Sequence, residues 1–424
     1  MPTTPNSLTR TAFVLSLGAF AVLHAQPNRI RGRIDNSQRM ILAGHVHPRA
    51  VAENDLGRLD AASQLSNVTL AFGPTSDQQA DLETLLVEQR TPGSPNYHRW
   101  LTPEQFADRF GVSQSDLAAI AGWLQDQGLT VTNTSRSRTW IMVSGPAVRI
   151  ENAFQTELHR YRVNGERHFA NSMAPSVPQQ FKGIVRAIRG LHDFRPHAMK
   201  RAMSRGVSQV QPEYTSSRGN HYLAPADLAT IYNIAPLHGA GFDGTGQSIV
   251  IAGQTQIDLT DLRTFRTKYG LPAADPQVIL VPGSRDPGIS KDDLDEAHLD
   301  LEWSGAVARN ANLIYVYSYD VFDAVQYAID QNLAPVISTS YGSCEGEFSS
   351  SDAATLRSWA QQANAQGITW FSASGDSGAA DCAYLNRSGL FVDIPGSIPE
   401  VTSVGGTEFQ ESGGQYWSAT NGAG

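Results

Sequence analysis

The sequence predicts two folded units in series: an α+β unit over residues 35–195, and an α/β unit with a parallel sheet and helices on both faces from His221 onward. Three observations carry this expectation. The 424 residues are enough for two or three domains. Between residues 196 and 220 apolar periodicity gives way to Arg, Ser, Gln and Gly around Lys200, Arg201 and Arg205, the composition of a linker open to proteolysis. Beyond it, short apolar runs alternate with helical patterns of about ten residues, as in strands joined by crossover helices.

The elements follow in order. Arg10 precedes the apolar run Thr11–Leu23, which is too short to span a bilayer. A positive residue followed by such a run is the order of a secretory signal peptide, expected over residues 1–25 with cleavage after Ala25. Export follows, and with it a secreted, extracellular protein without a membrane anchor. Asn67–Phe72 alternates as a strand. Gln78–Gln89 is helical by the spacing of Leu82, Leu85 and Leu86. Thr102-Pro103 opens a second helix, with Gln105 closing a capping box. Ser115–Gln127 is a third helix, Leu129–Asn133 and Thr139–Ser144 are strands, and Val148–Gln155 is a helix. His98, His159 and His168 are scattered and suggest no chemistry. From His221, the strands are Ser248–Ala252, Leu313–Tyr317, Ala334–Thr339 and Ile368–Ser372. The helices are Leu259–Tyr269, Lys291–Arg309, Val321–Gln331 and Ala353–Ala365. Reactive groups in such sheets lie at the carboxyl ends of the strands.

Composition removes several functions. A net charge of −9 argues against a general nucleic-acid binder. Two cysteines exclude a disulfide scaffold and a four-cysteine zinc site. In an exported chain Cys344 and Cys382 are expected to pair, because each follows a predicted strand and the helix between makes those strands neighbours. Charge is divided unevenly: residues 1–220 carry +7 and residues 221–424 carry −16. A basic front half is expected to dock on an acidic back half, and to loosen as carboxylates protonate.

Two places could carry chemistry. In KDDLDEAHLDLEWSGAVAR (Lys291–Arg309), Glu296 and Asp300 are four apart and share a helix face. Two adjacent carboxylates resist joint ionisation, so the pair can hold a proton and serve as a general base with its orienting partner. Asp292, Asp293 and Asp295 are expected to form a solvated face, and Trp303 to cover the pair. The second place is Ser374-Gly375-Asp376-Ser377-Gly378, after a predicted strand. Its last four residues match the nucleophile loop of chymotrypsin-like proteases. That match fails because the surroundings are α/β and histidines are scarce in the back half, where His238 and His298 do not lie in the context that such a triad needs; a subtilisin-type triad meets the same shortage.

With these features stand QRTPGSPNYHRWLTPEQF (Gln89–Phe106), SGPAVRIENAF (Ser144–Phe154), GLHDF (Gly190–Phe194) and HYLAPADLATIYNI (His221–Ile234). Together they resemble the sedolisins, or serine-carboxyl peptidases, of the kumamolisin branch in zymogen form, from about residue 40 to the end. The resemblance implies a signal peptide over 1–25, a ferredoxin-like activation domain over 26–195 and a linker with a processing site over 196–220. It makes residues 221–424 the N-terminal part of a subtilisin-like catalytic domain. Matched to the family helix, Glu296 is the general base and Asp300 its orienting carboxylate. Asp376 is the oxyanion-hole residue, protonated so that it can donate to the developing oxyanion, and Ser377 is not the nucleophile. The family's nucleophile lies in a Gly-Thr-Ser-Ala-Ser type stretch. Here Gly405-Gly406-Thr407 is followed by Glu408, so the attacking serine and the family's calcium site are expected to be missing from this chain. The implied function is an acid-acting endopeptidase precursor that is monomeric, takes protein or peptide substrates and is inhibited by its own activation domain. Two alternatives remain: a non-catalytic inhibitor or binding protein, and a carboxylate-pair glycosidase, for which only Trp303 is a nearby sugar-binding aromatic.

Overall fold

The computed structural model describes residues 26–198, 214–215, 221–385 and 387–407. The expected signal segment, residues 199–213 and 216–220 of the linker, and the stretch from Glu408 onward lie outside the described residues.

The front half is built on a four-stranded antiparallel sheet. Its strands are β1 (Gln64–Phe72), β2 (Thr130–Thr134), β3 (Trp140–Pro146) and β4 (Val185–Arg189), in the order β2-β3-β1-β4. Helices α1 (Ser76–Glu88), α2 (Pro103–Phe110) and α3 (Gln114–Asp126) connect β1 to β2, and α4 (Ala147–Phe154) follows β3. This is the ferredoxin-like arrangement. Its core joins Val68, Leu70 and Phe72 to Ile120, Leu124, Ile141, Ile150 and Phe154. The caps form as their residues dictate: Thr102 accepts from Gln105 N, Gln105 reaches back, and Pro103 takes the first turn, where no N–H is needed. β1 starts three residues before the expected strand. Asn67 adopts a left-handed φ of 62° and the pairing with β3 shifts between Leu65 and Val68. That bulge hides the first residues from a period-2 pattern.

The back half is a six-stranded parallel sheet. Its strands are β5 (Ser248–Gly253), β6 (Gln277–Leu280), β7 (Asn312–Tyr317), β8 (Val336–Thr339), β9 (Thr369–Ala373) and β10 (Thr402–Val404), in the order β6-β7-β5-β8-β9-β10. Alternate residues of β5 and β7 point to opposite faces. Val250, Ala252, Ile314 and Val316 pack against α7 (Val321–Gln331) and α8 (Ser350–Ala365). Ile251, Leu313 and Tyr315 pack against α5 (Leu259–Lys268) and α6 (Lys291–Val307). Helices therefore cover both faces, as expected of a parallel sheet.

The two halves share an interface. The end of α8 enters an apolar cluster of the front half, where Ala365 joins Leu82, Leu85, Leu86, Phe106 and Phe110. Its last carbonyl accepts from Leu101 N at 2.9 Å and Gln89 Nε2 at 3.1 Å. These bonds satisfy a helix end that would otherwise need water. Charges meet as the asymmetry predicts: Arg189 pairs with Asp320 at 3.2 Å, Arg195 with Asp293 at 3.4 Å, and Arg49 with Glu347. Arg189 also lies over the rings of Phe322 and Trp359. Buried polar bonds complete the contact. Asn67 Nδ2 donates to Asp323 at 2.9 Å, and Asp330 accepts from Ser137 N, Ser137 Oγ and Arg136 N.

Candidate active site

α6 brings Glu296 and Asp300 to one face, as four-residue spacing requires. Glu296 is 2% exposed. Asp300 Oδ1 accepts from Ser340 Oγ at 2.7 Å. Burial pushes the Asp300 carboxyl up to about 7, and the Ser340 hydroxyl pulls it part of the way back. Ser340 stands just past the carboxyl end of β8, where a parallel sheet exposes its reactive groups. Sequence reasoning passed over this serine, although its place after a predicted strand was a usable signal.

Trp303, expected over the pair, packs edge-on against Phe265 of α5. The ring beside the carboxylates belongs to Tyr341, whose hydroxyl is driven upward by burial, Tyr315, Asp293, Asp300 and Glu296. Of the three residues expected on a solvated face, Asp292 and Asp295 are exposed but Asp293 is 4% exposed. Asp293 accepts from Gln254 Nε2 at 2.9 Å and Ser290 Oγ at 2.6 Å, and meets Arg195 of the front half.

Asp376 follows β9, the neighbour of β8, so its loop opens at the same sheet edge as Ser340. Gly375 has φ +83°, and a Cβ there would lie 2.6 Å from Asp381 Oδ1, so the turn needs glycine. Asp376 lies among carboxyls. Asp393 is pushed up to about 9 by burial, then by Asp381 and by Asp376. Asp381 is raised by burial, then by Asp376 and Glu347. The Asp393 carboxyl fills the space over Gly342, where a Cβ would meet it at 2.2 Å. The Tyr341–Cys344 strand thus links the pair on α6, through Tyr341, to the carboxyls around Asp376, through Gly342. Cys344 is joined to Cys382 with Cα atoms 5.1 Å apart, tying this strand to the turn after the Asp376 loop.

The same strand receives the exit segment of the front half. His197 and Ala198 pair antiparallel with Gly342 and Tyr341, and Gln254 Nε2 donates to Pro196 O at 2.9 Å. The chain's own backbone therefore lies along the strand beside the candidate carboxylates, in the manner of an added β-strand.

Among the described residues no group of three or more His, Cys, Asp or Glu side chains is arranged to hold a metal ion. No helix among the described residues is long and apolar enough to cross a membrane.

A covered parallel sheet, a ferredoxin-like domain packed on it and an exit strand laid beside paired carboxylates define the class: an α/β domain with a ferredoxin-like domain docked on it. Comparison with known proteins gives its relatives. The Pro-kumamolisin activation domain family matches residues 54–194. Sedolisin of Pseudomonas sp. (strain 101) is 27% identical over 427 residues, covering 96% of this chain and 70% of that protein. Xanthomonalisin of Xanthomonas sp. (strain T-22) is 29% identical, over 80% of this chain and 45% of that protein. A solved structure of Pseudomonas sedolisin, described as a serine-carboxyl proteinase complexed with pseudo-iodotyrostatin, is 26% identical. It covers 46% of this chain and 56% of that one, with a TM-score of 0.37. Over most of its length the chain is similar to the sedolisins, and residues 54–194 match the Pro-kumamolisin activation domain. It spans about half to two thirds of the length of these proteins.

One consequence for stability follows from Asp300. A carboxyl raised to about 7 contributes stability that is present below its ordinary value and lost as pH rises through 7. Asp300→Asn is therefore expected to raise the melting temperature by a few degrees at pH 8 and to leave it unchanged at pH 4. An equal shift at both values would show that the carboxyl is not held protonated by burial.

Proposed function

We propose that this chain is the precursor of an acid-acting serine-carboxyl endopeptidase, exported by residues 1–25. Residues 26–195 are its activation domain, 196–220 the linker with its processing site, and 221–424 the N-terminal part of the catalytic domain. The observation that carries this reading is the exit segment paired along Tyr341–Gly342 beside Glu296 and Asp300. A peptide on that strand lies within reach of both carboxylates.

Glu296 is assigned as general base. A protonated Asp300, fixed through Oδ1 by Ser340, is the orienting partner and leaves Glu296 as the ionised member of the pair. Asp376, protonated, donates to the oxyanion of the tetrahedral intermediate. Such a set works below neutrality, where one carboxyl of the pair and the oxyanion donor both hold protons. No attacking hydroxyl is assigned among residues 1–424. Ser377, on the loop between Asp376 and Gly378, is assigned no step.

Two assays test the assignment. Residues 1–424 alone are expected to hydrolyse no denatured protein at any pH. A form of the protein that carries a Gly-Thr-Ser-Ala-Ser stretch is expected to do so in acid only, with Ser377→Ala within about twofold of wild type. Proteolysis by residues 1–424, lost in Ser377→Ala, would move the nucleophile to Ser377 and overturn the assignment.

A further inference from the structure

The front half holds four histidines around a cavity of about 750 Å³ that lies between the two halves: His47, His168, His192 and His197. None has a part in the chemistry above. The Phe194 ring is stacked between His47, at 4.1 Å, and His168, at 4.3 Å, and His192 lies 4.7 Å from His47. His47 has a defined protonation state. The backbone N–H of Arg49 donates to His47 Nδ1 at 3.2 Å, so that nitrogen must carry a lone pair. The Arg49 guanidinium crosses the interface to Glu347, a buried carboxylate of the back half, and lies over Phe194. Glu347 ends the short turn Glu345–Glu347 that follows the Tyr341–Cys344 strand, on which His197 and Ala198 are paired.

We propose that His47 is the acid-sensing latch of the activation domain: a proton taken at Nδ1 replaces the acceptor of the Arg49 N–H with a second N–H, loosens the Arg49–Glu347 clasp and releases segment 195–198 from the cleft. The electrostatic surroundings have the sign such a latch needs. His47 is held below the ordinary histidine range by burial, then by His192, Arg49 and His168. His192 is lowered by burial and by Arg189, against Asp352, Asp320 and Asp193, which raise it. His197 is lowered by burial, Arg49 and Arg195, against Glu347 and Asp293. A lowered histidine makes the docked form reject protons that the released form accepts, so docking weakens as pH falls below about 6.5. Two buried interface carboxyls act the other way. Asp323 is pushed up to about 7 and Asp330 is also raised, both by burial first, so the docked form takes up their protons more readily than the free form. Their protonation tightens docking in acid. This opposes the loosening expected from protonation of the paired carboxylates, and the lowered histidines have the releasing sign.

The proposal rests on the reading of the front half as the inhibitor of the cleft, but its test reads docking rather than proteolysis, so either can fail without the other. Hydrogen exchange of the full chain, corrected for the intrinsic pH dependence, is followed over Tyr341–Cys344 and Ser350–Ala365 from pH 7.5 to 4.5. The wild-type opening constant is expected to rise by about tenfold per pH unit below 6. In His47→Asn the amide oxygen takes the place of Nδ1 as acceptor for Arg49 N–H and cannot be protonated. Its protection should equal wild type at pH 7.5, with opening at pH 5 reduced by about tenfold. A wild-type slope in His47→Asn overturns the proposal. Should that variant already be open at pH 7.5, the wild-type His47 imidazole resonance decides. Titration in step with opening supports the latch, and titration near 6.5 while the halves stay docked overturns it.

Discussion

Glu296→Gln, in a form of the protein that carries the attacking hydroxyl, lowers acid proteolysis by about 10³-fold or more. Gln keeps the volume at a site that is 2% exposed but cannot take a proton. Loss of a base that works as a unit with its nucleophile costs nearly as much as loss of the unit. Removal of the activation domain by the protein itself is expected to stop with it. Ser340→Ala is milder, because Ser340 only holds Asp300, through a single bond of 2.7 Å. Activity of Glu296→Gln within tenfold of wild type would remove Glu296 from the base position.

The second large effect is on docking. Asp330 is 1% exposed and accepts from Ser137 N at 3.0 Å, Ser137 Oγ at 2.7 Å and Arg136 N at 2.9 Å. Asp330→Ala strands those donors in a buried interface. The cost is about 3 kcal/mol, or roughly 10²-fold in the docking constant. With the chain nicked once between residues 199 and 220, the wild-type halves should co-elute on gel filtration at pH 7.5 and the Asp330→Ala halves should separate. Co-elution of both would show that the apolar seat of Ala365 among Leu82, Phe106 and their neighbours is sufficient alone.

Much of this architecture was legible in the sequence. Val321–Gln331 has the bounds its spacing predicted, and the Thr102–Gln105 capping box formed, because local spacing and cap chemistry determine both. Elements defined by partners far along the chain were harder to find. β4 reads VRAIR, a short run interrupted by Arg186 and ended by Arg189, and becomes a strand only because β1 accepts it as an edge neighbour. The hairpin of Leu158–Val163 and Glu166–Asn171 is rich in charge, yet its Asn164-Gly165 turn, both residues at positive φ, was a readable signal. At the site, the helix spacing put Glu296 and Asp300 together. The contacts that single out Ser340, Tyr341 and Asp393 are tertiary: a hydroxyl past one strand end, a ring over α6 and a carboxyl seated over Gly342. Asp293 was misread for the same reason. Its partners Gln254 and Arg195 are 39 and 98 residues away, and a run of acids shows nothing of them.

The central claim is that Glu296, Asp300 and Asp376 form one acid-working peptidase site. The most direct test is the pH–rate profile of denatured-protein cleavage by the form carrying a Gly-Thr-Ser-Ala-Ser stretch, for wild type and Asp376→Asn. The account predicts wild-type activity that falls away as pH rises through about 7, where burial places the Asp300 proton, and a loss of about 10²–10³-fold in Asp376→Asn at every pH. A neutral optimum that Asp376→Asn leaves intact would contradict it.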